Sequence, residues 1–324
     1  MNPLITIVFA VYNEEENLKN LYQRLTAVAD SLSDYCFEFI FVDDCSSDAT
    51  PEILNQFYQH DHRVKSIRFA RNAGSHAALR AGLHHAKGDA VVVLAADLQD
   101  PPEIIPELLE KWKEGKQIVW GVRSKREGES LTTKFFSVMY YRLMNWLTNV
   151  KMPPLGADVF LVDKNVVNAF RKITEKHTSV FMTLAWLGFK QGSIEYVKNA
   201  RAKGVSKWTL SKKIKLLLDS TLAFSDIPIR YMSVLGFITA GLGFIYAMYV
   251  FWCYVNGSPV EGWSSLIVAI LVVGGVQMMM LGILGEYLWR TFDESRQRPQ
   301  YVVEYVLESK IDLEVTKSQG HKVT

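Results

Sequence analysis

The chain alternates between short β-rich runs and longer segments with helical apolar spacing, from residue 4 to about residue 122. The run "LITIVFAV" predicts a first strand, and apolar residues then recur at helical spacing at Leu18, Leu21, Leu25, Val28 and Leu32. Asn13, with Glu16 three residues on, predicts the start of that helix as a capping-box variant. Further strands are predicted, with helices between them, at 37–43, 64–70, 90–95 and 117–122. This alternation predicts an α/β fold with a mainly parallel sheet between helices.

Two long apolar runs follow near the C-terminus, at about 232–255 and 263–289. Each exceeds the roughly 20 helical residues that cross a hydrocarbon core of about 30 Å. Neither keeps the polar face of a typical soluble core helix, although two buried core helices are the alternative interpretation. The connector "NGSPVEG" has no Lys or Arg, whereas basic residues precede the first run and follow the second. The positive-inside rule then predicts a multi-pass hairpin in the cell inner (cytoplasmic) membrane, with both termini cytoplasmic.

Composition and charge narrow the class of protein. A chain of 324 residues with 49% hydrophobic content is not disordered, and it has room for one large domain beside the apolar runs. The net charge is only +2, so nucleic acid is not an expected partner. The three cysteines have no zinc-binding spacing, which fits a reduced compartment. No secretory signal pattern opens the sequence.

Polar residues follow the carboxyl ends of the predicted strands. Ligands of parallel sheets bind just outside these ends. These residues are Tyr12, Asn13, Glu14, Asp43, Asp44, Asn72, Asp97, Gln99, Asp100 and Arg123. The glycine-rich motifs that cradle phosphates in dinucleotide-binding and P-loop proteins do not occur in the sequence. An acid-rich edge would repel a nucleotide unless a divalent cation intervened or hydrogen bonds reached its ribose and base. Polar turns without a function are the alternative, since Asp and Ser are common in turns.

Four of these segments together resemble a known family. "VFAVYNEEENL", "FVDDCSSDAT", "ADLQDPPE" and "GVRSKREGES" occur in the order found in the inverting glycosyltransferases of family 2. The resemblance runs from residue 4 to about 305 and is strongest to the polyprenyl-phosphate glycosyltransferases. It implies a cytoplasmic, Rossmann-like GT-A domain at 1–207 and a transmembrane hairpin at 229–290. The basic amphipathic pattern between them predicts an interface helix at 208–228, and residues 291–324 are expected to be a cytoplasmic tail.

The resemblance also implies a donor site and a cation. It assigns the nucleotide sugar to Ala10, Tyr12, Glu14, Asp43, Asp44, Asn72, Asp97 and Gln99. Asp97 and Gln99 would in addition bind Mg²⁺ or Mn²⁺ beside the diphosphate. Ala95 stands where the family pattern has an Asp, so one expected carboxylate is missing. Because magnesium often takes only one or two protein carboxylates and keeps its waters, a site without a carboxylate at position 95 stays open.

Catalytic and acceptor roles follow from the same resemblance. The catalytic residues would be Asp97, Arg123 and Asp158, with Asp158 as the candidate general base; Phe160 stands where the family has Arg. An Asp without catalytic function is the alternative, because a phosphate acceptor with a second pKa near 6 is already largely ionised. The acceptor phosphate is assigned to Arg126, Arg201, Ser206 and Lys207. For "RAKGVSKW", the alternative is a basic loop attracted to anionic lipid without specificity.

The implied function is inverting transfer of a hexose to undecaprenyl or another polyprenyl phosphate at the cytoplasmic membrane face. UDP-glucose is the expected donor, and a UDP-aminoarabinose derivative, UDP-GlcNAc and GDP-mannose remain open. A homo-oligomer and a downstream flippase that serves cell-surface glycans fit the same interpretation. One rival is a processive polysaccharide synthase, although the chain lacks its Q-x-x-R-W segment and its larger set of membrane helices. The other rival is a non-catalytic membrane scaffold that binds nucleotide sugar, which the residue at position 95 makes relevant.

Overall fold

The computed structural model of the protein describes residues 2–126, 157–176, 178–198, 225, 227–256 and 262–308. Eight strands form one sheet in the order β7-β5-β6-β4-β1-β2-β3-β8. The strands are β1 Leu4–Val11, β2 Cys36–Asp43, β3 Val64–Phe69, β4 Ala90–Ala95, β5 Ile118–Arg126, β6 Ala157–Asp163, β7 Gln191–Lys198 and β8 Val303–Leu307. The helices are α1 Glu15–Ser31, α2 Thr50–His60, α3 Ser75–His85, α4 Ile105–Lys113, α5 Lys164–Phe170, α6 Val180–Trp186, α7 Ile227–Val255 and α8 Trp263–Ser295. The predicted α/β class and mainly parallel sheet are confirmed.

The centre of the sheet is parallel. β1 pairs with β4 up to Ala10 opposite Ala95, and with β2 up to Val11 opposite Asp43. β3 continues the parallel pairing beyond β2. The four strands are buried on both faces, which explains their near-continuous apolar runs. Their carboxyl ends therefore lie side by side along one edge of the sheet, which we call the rim.

The strands beyond β4 change direction. β6 is antiparallel to both β4 and β5, and β5 is parallel to β7. Two reversals in succession restore the direction of β4, so the carboxyl ends of β5 and β7 lie on the same side as the rim. The start of β6 lies there too, because its direction is opposite. The alternation of strands and helices in the sequence does not predict β6, β7 or β8.

Helices cover both faces of the sheet. The cluster on one face contains residues of α1, α2 and α4, and the cluster on the other face contains residues of α3, α5 and α6. The predicted apolar stripe of α1 is confirmed at Leu18, Leu21 and Leu25, each with 0% exposure. The predicted cap at Asn13 is wrong, because Asn13 has a left-handed backbone (φ 53°) and Glu14 occupies the cap position.

The helix α3 lies very close to the central strand β1. A Cβ atom added to Gly82 would lie 2.2 Å from Cγ1 of Val8, a separation shorter than any ordinary contact. Val8 has 0% exposure in the middle of the sheet, so it has little room to move. Glycine at position 82 thus permits the contact between helix and sheet.

The helices α7 and α8 present apolar side chains to the surroundings. Both are long and apolar enough to cross a membrane, and the most apolar window of each is 0% buried. Phe237 in α7 is 80% exposed and Met278 in α8 is 70% exposed. A core helix of a soluble protein would bury such residues, so the alternative of two buried core helices is contradicted. A continuous apolar surface of this size fits a membrane-associated protein.

After α8 the chain returns to the sheet. β8 pairs antiparallel with β3, with Tyr305 opposite Arg68 and Val306 opposite Ile67. The ring of Tyr301 stacks on Phe69, with 4.8 Å between the ring centroids. The strand therefore covers the free edge of β3, although this stretch is predicted from sequence only as part of a cytoplasmic tail.

Ion pairs fasten the far end of β8. The carboxylate of Glu308 lies 2.8 Å from Nζ of Lys65 and 2.6 Å from Nζ of Lys87. The hydroxyl of Tyr58 donates to the Glu308 carbonyl at 3.3 Å. Lys65 is buried, so removing the Glu308 carboxylate would leave a buried ammonium group without this partner.

The close approach of α3 to β1 predicts a sensitive position. We expect Gly82→Ala to lower the free energy of unfolding by about 1–3 kcal/mol, the usual cost of overpacking a core. The clash should outweigh the roughly 1 kcal/mol by which Ala exceeds Gly in helix propensity. Thermal unfolding followed by circular dichroism measures the change. Gly241→Ala is the matched control, because an added Cβ there meets nothing within 4 Å; equal melting temperatures for both variants would contradict the prediction.

Candidate active site

The loops after β1 and β2 are hydrogen-bonded to each other at the rim. The backbone N–H of Asn13 donates to Oγ of Ser46 at 2.9 Å, and the N–H of Ser47 donates to Oδ1 of Asn13 at 2.9 Å. The N–H of Glu14 donates to Oγ1 of Thr50 at 3.0 Å. Asn tolerates the left-handed conformation better than most residues, which suits position 13. These bonds fix the shape of the loop after β1.

Three predicted donor residues belong to this part of the rim. Ala10 is half-buried beside Ala95 in the register of β1 and β4. Tyr12 is 37% exposed, so its ring is accessible from outside. Glu14 is half-buried, and its Oε2 accepts from Nδ2 of Asn17 at 2.6 Å. The structure thus brings Ala10, Tyr12 and Glu14 together where β1 ends.

Asp43 is a buried member of the rim with two protein partners. Its side chain is only 1% exposed, Oδ1 accepts from the N–H of Ser46 at 2.9 Å, and Oδ2 pairs with Nη1 of Arg68. Arg68 is also its register partner on β3. A carboxylate has about four acceptor positions, so these contacts do not exhaust it. Asp43 therefore stabilises the conformation of the loop after β2, and it keeps acceptor positions with which it could also bind a ligand.

Asp44 and Asn72 connect the end of β2 to the loop before α3. The two carboxylate oxygens of Asp44 accept from the N–H groups of Ala73 at 2.6 Å and Gly74 at 2.9 Å. Nδ2 of Asn72 donates to the Asp44 carbonyl at 3.2 Å. Burial raises the pKa of Asp44 and the nearby Asp43 adds to this, while the two backbone N–H groups oppose the shift. Both predicted residues therefore lie at the rim, held by backbone contacts.

The loop after β4 is also tightly built. Asp97 is 8% exposed, and its Oδ1 accepts from the N–H of Gln99 at 3.2 Å. Leu98 between them has a left-handed backbone, with φ 61°. Asp100 is fully buried, and its Oδ1 accepts from the hydroxyl of Tyr196 at 2.5 Å. Tyr196 is not predicted from sequence, because nothing in the chain relates it to a loop 96 residues earlier.

Arg123 and Arg126 lie in the last part of β5, where the structure describes their backbone. Arg123 is opposite Tyr196 of β7, and Arg126 is opposite Lys198. Both positions are on the rim side of the sheet because β5 has the direction of β4. The catalytic role predicted for Arg123 and the acceptor-phosphate role predicted for Arg126 stay predictions.

Asp158 reaches the same side of the sheet by the reversal of β6. Its backbone lies at the start of that strand, and the pairing with β4 runs from Ala90 opposite Asp163 to Val93 opposite Phe160. Extending this register toward the start of β6 places the backbone of Asp158 beside the end of β4. Asp97 follows β4 on the same side of the sheet. Phe160, which replaces the arginine of the family pattern, has 0% exposure and packs on Trp120.

The remaining acceptor residues, Arg201, Ser206 and Lys207, lie outside the described residues. The helix predicted at 208–228 lies outside them as well, except for residues 225, 227 and 228. The acceptor phosphate site and the interface helix therefore stay predictions.

The predicted cation would have few protein ligands. Among the described residues, no three His, Cys, Asp or Glu side chains are grouped so that they could hold a metal ion. Asp97 and Gln99 supply one carboxylate and one amide, and the methyl group of Ala95 lies nearby at the end of β4. This donor set fits Mg²⁺ or Mn²⁺ only if a diphosphate and water complete the coordination.

The pattern of the family described as "Glycosyl transferase family 2" matches residues 6–177, which is more than half of the chain. The chain belongs to glycosyl transferase family 2. The predicted family is thereby confirmed, and so are the GT-A fold and the prediction of a glycosyltransferase.

Two relatives show how far the family 2 similarity extends. The uncharacterized glycosyltransferase YkcC of Bacillus subtilis is 41% identical over 94% of this chain and 95% of its own length. The bactoprenol glucosyl transferase of Shigella phage SfV is 36% identical over 92% of this chain and 97% of its own length. Among solved structures, a Pyrobaculum calidifontis mannosyltransferase in complex with GDP-Man and Mn²⁺ is 13% identical, with TM-score 0.45, over 87% of this chain and 88% of that chain.

The missing carboxylate at position 95 predicts a gain of metal affinity. We expect Ala95→Asp to raise the affinity for Mn²⁺ in the presence of UDP by at least about tenfold, the size typical of changes in groups around a metal. Electron paramagnetic resonance of free Mn²⁺ measures the binding. Ala95→Asn has nearly the same shape without the charge, so an equal gain in both variants would count against a carboxylate site here.

Proposed function

We propose that the protein transfers a hexose from a UDP-sugar, with UDP-glucose as the first candidate, to undecaprenyl or another polyprenyl phosphate. The observation that carries the proposal is that the sequence similarity to one relative continues through both parts of the chain. The match to the phage bactoprenol glucosyl transferase spans the family 2 domain and both apolar helices of this chain. The reaction would take place at the cytoplasmic face of the inner membrane, as the distribution of Lys and Arg beside the apolar runs predicts.

The rim is the proposed donor site. Tyr12 is the accessible aromatic side chain of the loop after β1, and Glu14 lies two residues beyond it. The small side chain of Ala10 lets a ligand approach the end of β1 closely. Asp97 and Gln99 would hold Mg²⁺ or Mn²⁺ against the donor diphosphate, where the cation would offset the charge of the leaving nucleotide.

Chemically, the transfer exchanges one bond for another. A phosphate oxygen of the lipid attacks the anomeric carbon in line, the new oxygen–carbon bond forms, and the bond from that carbon to the diphosphate oxygen breaks. The configuration is inverted. Since the lipid phosphate is largely ionised at neutral pH, Asp158 needs only to orient it or take its remaining proton. Arg123 would stabilise charge on the departing diphosphate, so catalysis is mostly positioning and electrostatics.

The acceptor phosphate would lie between the rim and the bilayer. Arg126, Arg201 and Lys207 supply positive charge and Ser206 supplies a hydroxyl donor, a combination that binds a phosphate group better than charge alone. The amphipathic segment 208–228 would lie in the membrane interface. The polyprenyl tail would remain in the hydrocarbon beside α7 and α8.

A second candidate function is a membrane scaffold that binds nucleotide sugar without turnover. It is favoured by one observation, the alanine at position 95 in place of a metal-ligand carboxylate. Among the described residues, no group of three His, Cys, Asp or Glu side chains offers an alternative metal site.

Membranes containing the full chain separate these functions. With radiolabelled UDP-glucose and polyprenyl phosphate, we expect label in a chloroform-soluble lipid product. A labelled polymer would instead identify a processive synthase, and nucleotide binding without any turnover would identify the scaffold. Parallel assays with UDP-GlcNAc, UDP-galactose and GDP-mannose determine which sugar is transferred.

The acceptor assignment predicts selective defects. We expect Lys207→Ala and Arg201→Ala to raise KM for polyprenyl phosphate by about tenfold or more, as for loss of a charge-assisted hydrogen bond. UDP affinity should change little. Lys190→Ala is the matched control, because this exposed lysine lies just before β7, at the opposite edge of the sheet from the rim. Equal loss of UDP and lipid affinity in the Lys207 and Arg201 variants would contradict the assignment.

A further inference from the structure

Arg68 of β3 lies between the rim and the returning strand β8. Its Nη1 pairs with Oδ2 of Asp43, and its Nη2 donates to the Ser46 carbonyl at 3.1 Å. Its Nε donates to Oε2 of Glu304 in β8 at 3.0 Å. A guanidinium is planar and rigid, so three contacts on different atoms fix both its position and its plane. Arg68 is thus held both from the rim and from the C-terminal strand.

An irregularity in β8 makes the contact of Glu304 with Arg68 possible. Arg68 is opposite Tyr305, but the next residue, Phe69, is opposite Val303, so Glu304 is an extra residue in the pairing. In a regular strand, neighbouring side chains alternate between the faces, and Glu304 would be turned away from the face of Tyr305. A β-bulge redirects the side chain of its extra residue. The bulge therefore accounts for how Glu304 reaches Nε of Arg68.

The contacts of Arg68 continue into the proposed donor loop. Ser46 accepts from Arg68 through its carbonyl and donates through its N–H to Asp43. The Oγ of the same serine accepts from the N–H of Asn13, whose left-handed backbone forms the turn beside Tyr12. An unbroken series of hydrogen bonds therefore runs from β8 through Arg68 and Ser46 to the loop after β1.

We propose that Glu304 is a positioning residue for the nucleotide donor, acting through Arg68 on the Asp43–Ser46 loop. The strand β8, which follows the apolar hairpin, would then stabilise the donor site through Arg68 without contacting the nucleotide. This inference rests on the proposed function in that it takes the rim as the donor site. It predicts that changes in β8 alter nucleotide affinity even though β8 lies at the edge of the sheet.

The chain offers a control at the other end of the same strand segment. Glu308 also fastens the segment to the sheet, through Lys65 and Lys87. Lys65 is opposite Ile40 of β2, three positions along the sheet from the pair of Asp43 and Arg68. Glu308→Gln should therefore lower the melting temperature without changing nucleotide affinity. Glu304 is 52% exposed, so Glu304→Gln should leave the fold intact.

The test measures UDP affinity by calorimetry, KM for each substrate and the melting temperature, on the full chain in detergent. For Glu304→Gln we expect a rise of about threefold in the UDP Kd and in the donor KM, the size of one partly exposed ion pair. KM for polyprenyl phosphate and the melting temperature should stay unchanged. If Glu304 acts through Arg68, Glu304→Gln should have almost no further effect in an Arg68→Lys background, because coupled residues are not additive.

The outcomes separate the two claims. An unchanged UDP Kd in Glu304→Gln, or an equal loss of UDP affinity in Glu308→Gln, would overturn the positioning role. So would full additivity with Arg68→Lys. If the wild type binds UDP but transfers no sugar to lipid, the proposed function fails, while UDP affinity still tests the role of Glu304.

Discussion

The register of β1 with its two parallel neighbours determines the rest of the structure. β1 is paired along its whole length with β2 and over six positions with β4, so Ala10, Ala95 and Asp43 have fixed places relative to each other. A slip by one residue would turn every side chain of a strand to the opposite face, where it would not fit the core packed there. Cores on both faces of the sheet prevent that slip. The polar rim is therefore positioned by the apolar residues beneath it.

The carboxylates of the rim first organise the protein itself. Asp43, Asp44, Asp97 and Asp100 all accept hydrogen bonds from backbone or side-chain groups at the ends of the strands. A site built this way is formed before any ligand arrives, so little ordering is left for the binding step. It also explains how acidic side chains can accumulate at one edge, since each accepts at least one hydrogen bond from an N–H or O–H donor.

The spacing of apolar residues along the chain predicted the features that depend on contacts between residues close in sequence. The parallel strands and the stripe of α1 follow from apolar spacing, and the rim residues follow from the rule that ligands bind where parallel strands end. Pairings between distant segments were not predictable in this way. β6 inserts between β4 and β5, the hydroxyl of Tyr196 bonds Asp100, and β8 returns to β3. The Asn13 cap was wrong because Asn suits both a helix cap and a left-handed turn, and only the contact with Ser46 decides between them.

The return of β8 to the sheet also determines how the catalytic domain is mounted. A domain joined to a helical hairpin by a single connection could change its orientation relative to that hairpin. Here the chain enters the hairpin after residue 225 and leaves it at Ser295 to join the sheet again, giving a second attachment. Lys176 adds a brace, because its Nζ donates to the Asp293 carbonyl at 2.7 Å. In the proposed reaction, two attachments would restrict tilting of the rim toward the bilayer, so we expect the lipid phosphate to approach the rim and not the reverse.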